Sequence, residues 1–199
     1  MLRRSIAIAT ILLAPLAAPA AAEQDRSLSA PSGHDYASAV ASRSMSQQTR
    51  LGTDFIARTF ASSLQRSRDN ARANALPIPD DIREGLAGYY PAELLDTVRY
   101  TVGDFTPDGL AGFAIRNGNA AAVTLIDTIV FSDEQHVNNL ALWAHEIHHV
   151  HQYAEWGLDG FAQRYAFSWN MVEEDARTRT EDFVGWYKAQ RGGGYASAD

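Results

Sequence analysis

The sequence predicts an α+β domain, and three observations carry that expectation. Helical patterns stand at both ends of the chain, a small group of strand patterns lies between them, and no internal repeat at solenoid periods breaks this order. The architecture expected is a short sheet, a helix carrying a histidine-rich motif and a C-terminal helix dense in acids. At 199 residues, 46% hydrophobic and 21% charged, the chain has ordinary globular composition. It has room for one domain and a leader.

The first 22 residues read as a secretory signal peptide. Arg3 and Arg4 form its positive start, Ile6 to Leu16 its apolar middle, and Ala20-Ala21-Ala22 its small-residue cleavage site. Cleavage is expected after Ala22, leaving Glu23 as the mature N-terminus. Pro15 and Pro19 interrupt a stretch already short for a bilayer, so no stable membrane anchor is expected after cleavage. The mature chain is expected to be secreted or periplasmic.

Residues 23–75 read as a linker followed by an amphipathic helix that packs on the domain. From Glu23 to Gln47 the chain is rich in Ser, Ala, Gly and Gln, the composition of a poorly ordered segment, and His34 within it is expected to have no role. From Gln48 to Ala73, Leu51, Phe55, Phe60 and Leu64 recur at helical spacing, and Arg50, Arg58, Arg66 and Arg68 read as a solvated face. This region could serve as a pro-segment, although it contains no recognisable inhibitory residue.

Residues 76–199 form the domain proper. Asp80 or Asp81 can cap a short helix through Leu86, and Pro91 can start another at "PAELLD". In "TVRYTV", Val98, Tyr100 and Val102 alternate with polar neighbours, a strand pattern. After a Gly/Pro/Asn-rich connection, Val123 to Phe131 is the strongest strand candidate, rich in Val, Ile and Thr.

Composition removes several functions. A formal charge of −7 and a pI near 5.3 leave no basic footprint, so nucleic acid is not an expected partner. The chain has no cysteine. Disulfides, thiolate ligands, a cysteine nucleophile and an acylated anchor are therefore excluded. Any metal must be held by His, Asp or Glu. No feature sets an oligomeric state.

Four of the six histidines lie in seven residues of "LWAHEIHHVHQYAEWG". His145, Glu146 and His149 satisfy H-E-x-x-H. On a helix, residues four apart are stacked with Cβ atoms about 5–6 Å apart, so two imidazoles can meet one Zn²⁺. Glu146, about 100° round from His145, is no ligand but can reach a water on the metal as general base. Leu140, Leu142, Ala144 and Ile147 supply helix formers and apolar contacts, and Gly157 is the expected stop. The preceding strand could place a sheet edge over the metal to pair with an extended peptide. His148 and His151 face away from this pair and read as structural or supporting, and His136 has no visible partner.

A catalytic zinc needs a third ligand. The metzincin extension would require Gly and His where this chain has Gln152 and Glu155, so that class is excluded. A carboxylate from a later segment remains, and "WNMVEEDARTRTEDF" is a helical stretch with several. Asn170 can cap it, with Glu173 three residues on as in a capping box.

Taken together, "VTLIDTIVF", "LWAHEIHHVHQY", "GLDGFAQRY" and "NMVEEDA", with "GYYPAELLDTVRY" before them, resemble zincin-type metallopeptidase domains with a glutamate ligand. The nearest resemblance is to the extracellular contractile injection system (eCIS) core domain family, over about Leu76 to Phe183. It implies a zincin-like metallopeptidase domain with Zn²⁺ held by His145, His149 and the glutamate of N-x-x-E-x-x-A, here Asn170, Glu173 and Ala176. Asp159 and Glu174 stay open as competitors. Glu155 lies about 15 Å along the helix from His145, too far to share a metal. Thermolysin-like enzymes place an orienting Asp four residues after the ligand glutamate. Here Arg177 stands there, which leaves Asp175 or Asp182 for that task.

The function expected is zinc-dependent hydrolysis of a peptide or protein substrate, with Tyr165 or Tyr153 as oxyanion donor. The alternative is a zinc-binding, non-proteolytic module for peptide binding or scaffolding on the same fold.

Overall fold

The computed structural model describes residues 33–103 and 120–192, of residues 33–46, 48, 49 and 192 the backbone only. The expected signal peptide, its cleavage site, the start of the linker and the Gly/Pro/Asn-rich connection lie outside the described residues, as does the side chain of His34. The expected α+β class is found, as helices around a four-stranded sheet.

In chain order the elements are α1 (Gly33–Arg72), β1 (Leu76–Pro77), α2 (Asp80–Leu86), α3 (Ala92–Thr97) and β2 (Arg99–Val102). Then come β3 (Ala122–Leu125), β4 (Thr128–Phe131), α4 (Glu134–Val137) and the long helical run α5 (Leu140–Gly192). The strands lie in the order β1-β2-β4-β3. β4 runs parallel to β2 and antiparallel to β3, and β1 is antiparallel to β2.

Several expectations need correction. Helix α1 begins at Gly33, inside the segment read as a linker, because Ala, Ser, Gln, Met and Arg there are compatible with a helix even without an apolar stripe. The N-cap of α2 is Pro79, not Asp80 or Asp81. Those acids occupy the first turn, where the helix dipole favours negative charge. Pro91 is likewise the N-cap of α3. The run Val123 to Phe131 is not one strand but a hairpin, turning at Ile126 and Asp127. Ile126 has φ 59°, unusual for a β-branched residue.

The turn is held from outside. Arg68 donates to both carboxylate oxygens of Asp127, at 2.8 and 2.6 Å, and Arg72 pairs with it at 3.0 Å. Arg72 also donates to the Thr97 carbonyl at 3.0 Å, so α1 clamps the hairpin and the end of α3. Arg68 is thus an anchor rather than part of a solvated face. Burial alone would raise the Asp127 carboxyl, yet Arg68, Thr128 and Arg72 hold it below its ordinary value.

The sheet is the middle layer of three. Registration places Val123, Leu125, Thr128 and Val130 on one face, and Ala122, Thr124, Ile129 and Phe131 on the other. The first face packs towards Ala61 and Leu64 of α1, while Ile129 and Phe131 pack with Trp143 and Ile147 of α5. All four residues of β4 are buried, because both faces are covered.

The run α5 is not straight. Gly157 has φ 69° and ψ 168°, a region essentially restricted to glycine, and Ser168 is also non-helical. The stop expected at Gly157 is therefore a sharp break. The last segment starts after Ser168, two residues before the cap expected at Asn170, and folds back beside the first. Asn139 caps the first segment, its Oδ1 accepting from the Leu142 amide at 3.2 Å. Trp143 and Tyr90 pin that segment by donating to the carbonyls of Val137 at 2.7 Å and Ala144 at 2.8 Å.

Candidate metal centre

The first segment of α5 presents His145 and His149 one turn apart, and the third segment returns to place Glu173 against both. His145 Nε2 lies 3.2 Å from His149 Nε2 and 3.5 Å from Glu173 Oε2, and His149 Nε2 is 3.7 Å from Glu173 Oε1. The three form a buried cluster that could hold a metal ion. Ligand atoms about 2.0–2.1 Å from a tetrahedral ion stand about 3.3–3.4 Å apart, which is the scale found here. Glu173 Oε2 is buried without a hydrogen-bond partner. A carboxylate oxygen so placed is costly unless a cation meets it.

Electrostatics point the same way. Burial opposes charge on Glu173, but the imidazoles of His145 and His149 hold its carboxyl far below the ordinary carboxylate range. Burial also opposes an imidazolium at His149, yet Glu173, Glu146 and Gln152 raise it to about 9. The cluster attracts positive charge, which a proton or a metal ion can supply.

The ring of His145 is oriented from behind. Thr180 donates its hydroxyl to the Ala176 carbonyl at 2.8 Å, leaving its oxygen to face His145 Nδ1 at 3.4 Å. His145 Nδ1 can then carry the proton, with Nε2 free towards the cluster. His149 Nδ1 meets Gln152 Oε1 at 2.8 Å. Tyr165 donates to Glu173 Oε1 at 3.1 Å, supporting that carboxylate from the segment after Gly157. Its phenol is pushed well up by burial and by Glu173.

Glu146 lies beside the cluster, turned towards the sheet, and is only 4% exposed. Thr124 of β3 donates to Glu146 Oε2 at 2.7 Å and approaches the Glu146 carbonyl at 3.0 Å. Strand alternation explains this contact, since Thr124 is on the sheet face turned towards α5.

His145, His149 and Glu173 are thus brought together, and Glu146 follows His145 on the same helix with its carboxylate held by Thr124. Asp159, Glu155 and Glu174 are exposed and stay outside the cluster, and Glu174 pairs with Arg177 instead. Both expected orienting acids are exposed; Asp175, about half-exposed, contacts His148 and Gln152. His148 is therefore a supporting residue. His151 is about half-exposed beside Glu155, and His136 pairs with Asp133. Sequence reasoning did not identify Thr124, Gln152 or Thr180 as site residues. Only Gln152 left a local signal, three residues after His149 on the same helix face.

Residues 77–157 match the family model described as the eCIS core domain. The match contains the H-E-x-x-H segment and ends before Glu173, so the place of Glu173 in the cluster rests on the geometry of the chain itself. Neither the curated proteins nor the solved structures contain a significant match.

Proposed function

We propose that this chain, whose residues 77–157 match the eCIS core domain, is a zincin-type Zn²⁺-dependent peptidase acting outside the cytoplasm. The observation that carries the reading is the buried His145–His149–Glu173 cluster with Glu146, a residue not needed as a ligand, beside it. Two imidazoles and one carboxylate leave a tetrahedral ion one open position, the pattern of catalytic rather than closed zinc sites. Zn²⁺ so held would lower the pKa of water and polarise a substrate carbonyl. With the metal bound, Glu146 would serve as the base that takes a proton from the attacking water and returns it to the leaving amine. Thr124 keeps its carboxylate between β3 and the cluster, and β3, an edge among the described strands, offers main-chain groups to an extended peptide. Tyr165 donates to Glu173 and so supports that carboxylate. The extracytoplasmic site of action rests on the signal-like leader, and among the described residues no helix is long and apolar enough to cross a membrane.

One observation favours a second reading. His145, Glu146, His149 and Glu173 are each 4–6% exposed, as a closed, structural zinc site would be. A peptide-library digest with the purified, zinc-loaded chain separates the two. The peptidase reading expects cleavage that falls about 100-fold or more in Glu146→Gln, with zinc retained. Equal cleavage by Glu146→Gln would refute the role of Glu146, and no cleavage by zinc-loaded wild type would support the structural reading.

A further inference from the structure

Gln152 is 1% exposed, and every polar atom of its amide is engaged. Its Nε2 donates to the Val172 carbonyl at 3.2 Å and to Asp175 Oδ2 at 2.8 Å, while its Oε1 faces His149 Nδ1 at 2.8 Å. The amide can sit only one way round. Reversed, its oxygen would face a carbonyl and a carboxylate, two acceptors with no proton between them. With Oε1 fixed towards His149, that ring must carry a proton on Nδ1, which leaves the Nε2 lone pair for the metal. Asp175 is the charged part of this arrangement. Its Oδ2 accepts from Gln152 and also contacts His148 Nε2 at 2.7 Å, so one carboxylate oxygen joins the third segment of α5 to two residues of the first.

We propose that Asp175 and Gln152 are a positioning pair that sets the tautomer and aim of His149, Asp175 acting through Gln152. The inference rests on the metal-binding reading above. It assigns to an indirect, amide-relayed carboxylate the orienting task that Arg177, a donor with no acceptor, cannot perform.

The test is Zn²⁺ affinity, measured by competition with a chromophoric chelator on the purified chain. Gln152→Ala should weaken binding about 10–100-fold, and Asp175→Ala by a smaller factor. Because Asp175 acts through Gln152, the double variant should bind within about twofold of Gln152→Ala alone. Asp182→Ala removes the same charge from an exposed position on the same segment and should bind as wild type. A second measurement needs no substitution. In the zinc-loaded wild type, nitrogen-15 shifts should place the proton of His149 on Nδ1 and the metal on Nε2. Unchanged affinity in both single variants, additive losses in the double variant, or metal on Nδ1 would each overturn the pair. If the wild type takes up no Zn²⁺, the metal reading itself falls and carries this inference with it.

Discussion

Glu173 shows how far single residues could be read in advance. His145, Glu146 and His149 were legible because five consecutive residues on one helix fix their own geometry, whatever the rest of the fold does. Glu173 was reached through a family resemblance, since its approach depends on the chain turning back at Gly157 and Ser168. Thr124 and Thr180 were not legible as supports, and Gln152 left only its i,i+3 spacing from His149. The roles of the two threonines come from contacts across the sheet or between helical segments, where neutral polar side chains carry no spacing signature. Tyr165 was expected near the reaction, but its hydroxyl bonds Glu173. Tyr165→Phe keeps the ring stacked between Phe60 and Phe161 and removes only that donor. Metal affinity should fall about tenfold, the worth of one hydrogen bond to a charged group. Unchanged affinity would show that Tyr165 does not support the ligand.

Among elements, the hairpin β3–β4 was the clearest misreading. Nine residues with β-branched character hid a turn because β4 is buried on both faces and lacks alternation, and Ile126 carries no turn signal. The positive φ there survives because Arg68 and Arg72 fix Asp127 from α1. Asp127→Ala should cost about 1–3 kcal/mol, measured by denaturant unfolding. Its carboxyl has a lowered folded pKa, so its contribution is present above the ordinary value of 3.8 and is lost as pH falls through the folded one. Asp127→Asn should therefore flatten the acid limb of the stability profile, and an unchanged limb would contradict the clamp. The break at Gly157 was legible from a glycine alone, although not its angle. Gly157→Ala should cost about 1–3 kcal/mol through its positive φ, since nothing lies within 4 Å of an added Cβ. Gly185, also with open space but within the helical run, should gain about 0.5–1 kcal/mol as alanine. Equal effects at both sites would refute the conformational explanation.

At the scale of the molecule, α1, the sheet and α5 form three layers, and both α1 and the sheet help α5 to build the site. Thr124 reaches Glu146 from the sheet, and Phe60 of α1 stacks on the tyrosine that supports Glu173. The α+β class was legible from the order of patterns, and so was the packing of the second half of α1 on the domain, but its start at Gly33 was not, because its first half is polar. Leu64 and Ala61 of α1 share a buried cluster with Val130 and Phe161, so α1 belongs to the core of this fold. A cation that bridges the first and third segments of α5 binds the folded chain only. Zn²⁺ at about a thousand times its Kd should then add about 4 kcal/mol to stability, and a chelator should reverse the gain. The most direct measurement of the central claim is a zinc-binding titration of the chain and its Glu173→Ala, Asp159→Ala and Glu174→Ala variants, each checked for folding. The account predicts about one Zn²⁺ per chain, affinity lowered about 100-fold or more in Glu173→Ala, and wild-type affinity in the other two. Wild-type binding by Glu173→Ala, with loss in either of the others, would contradict it.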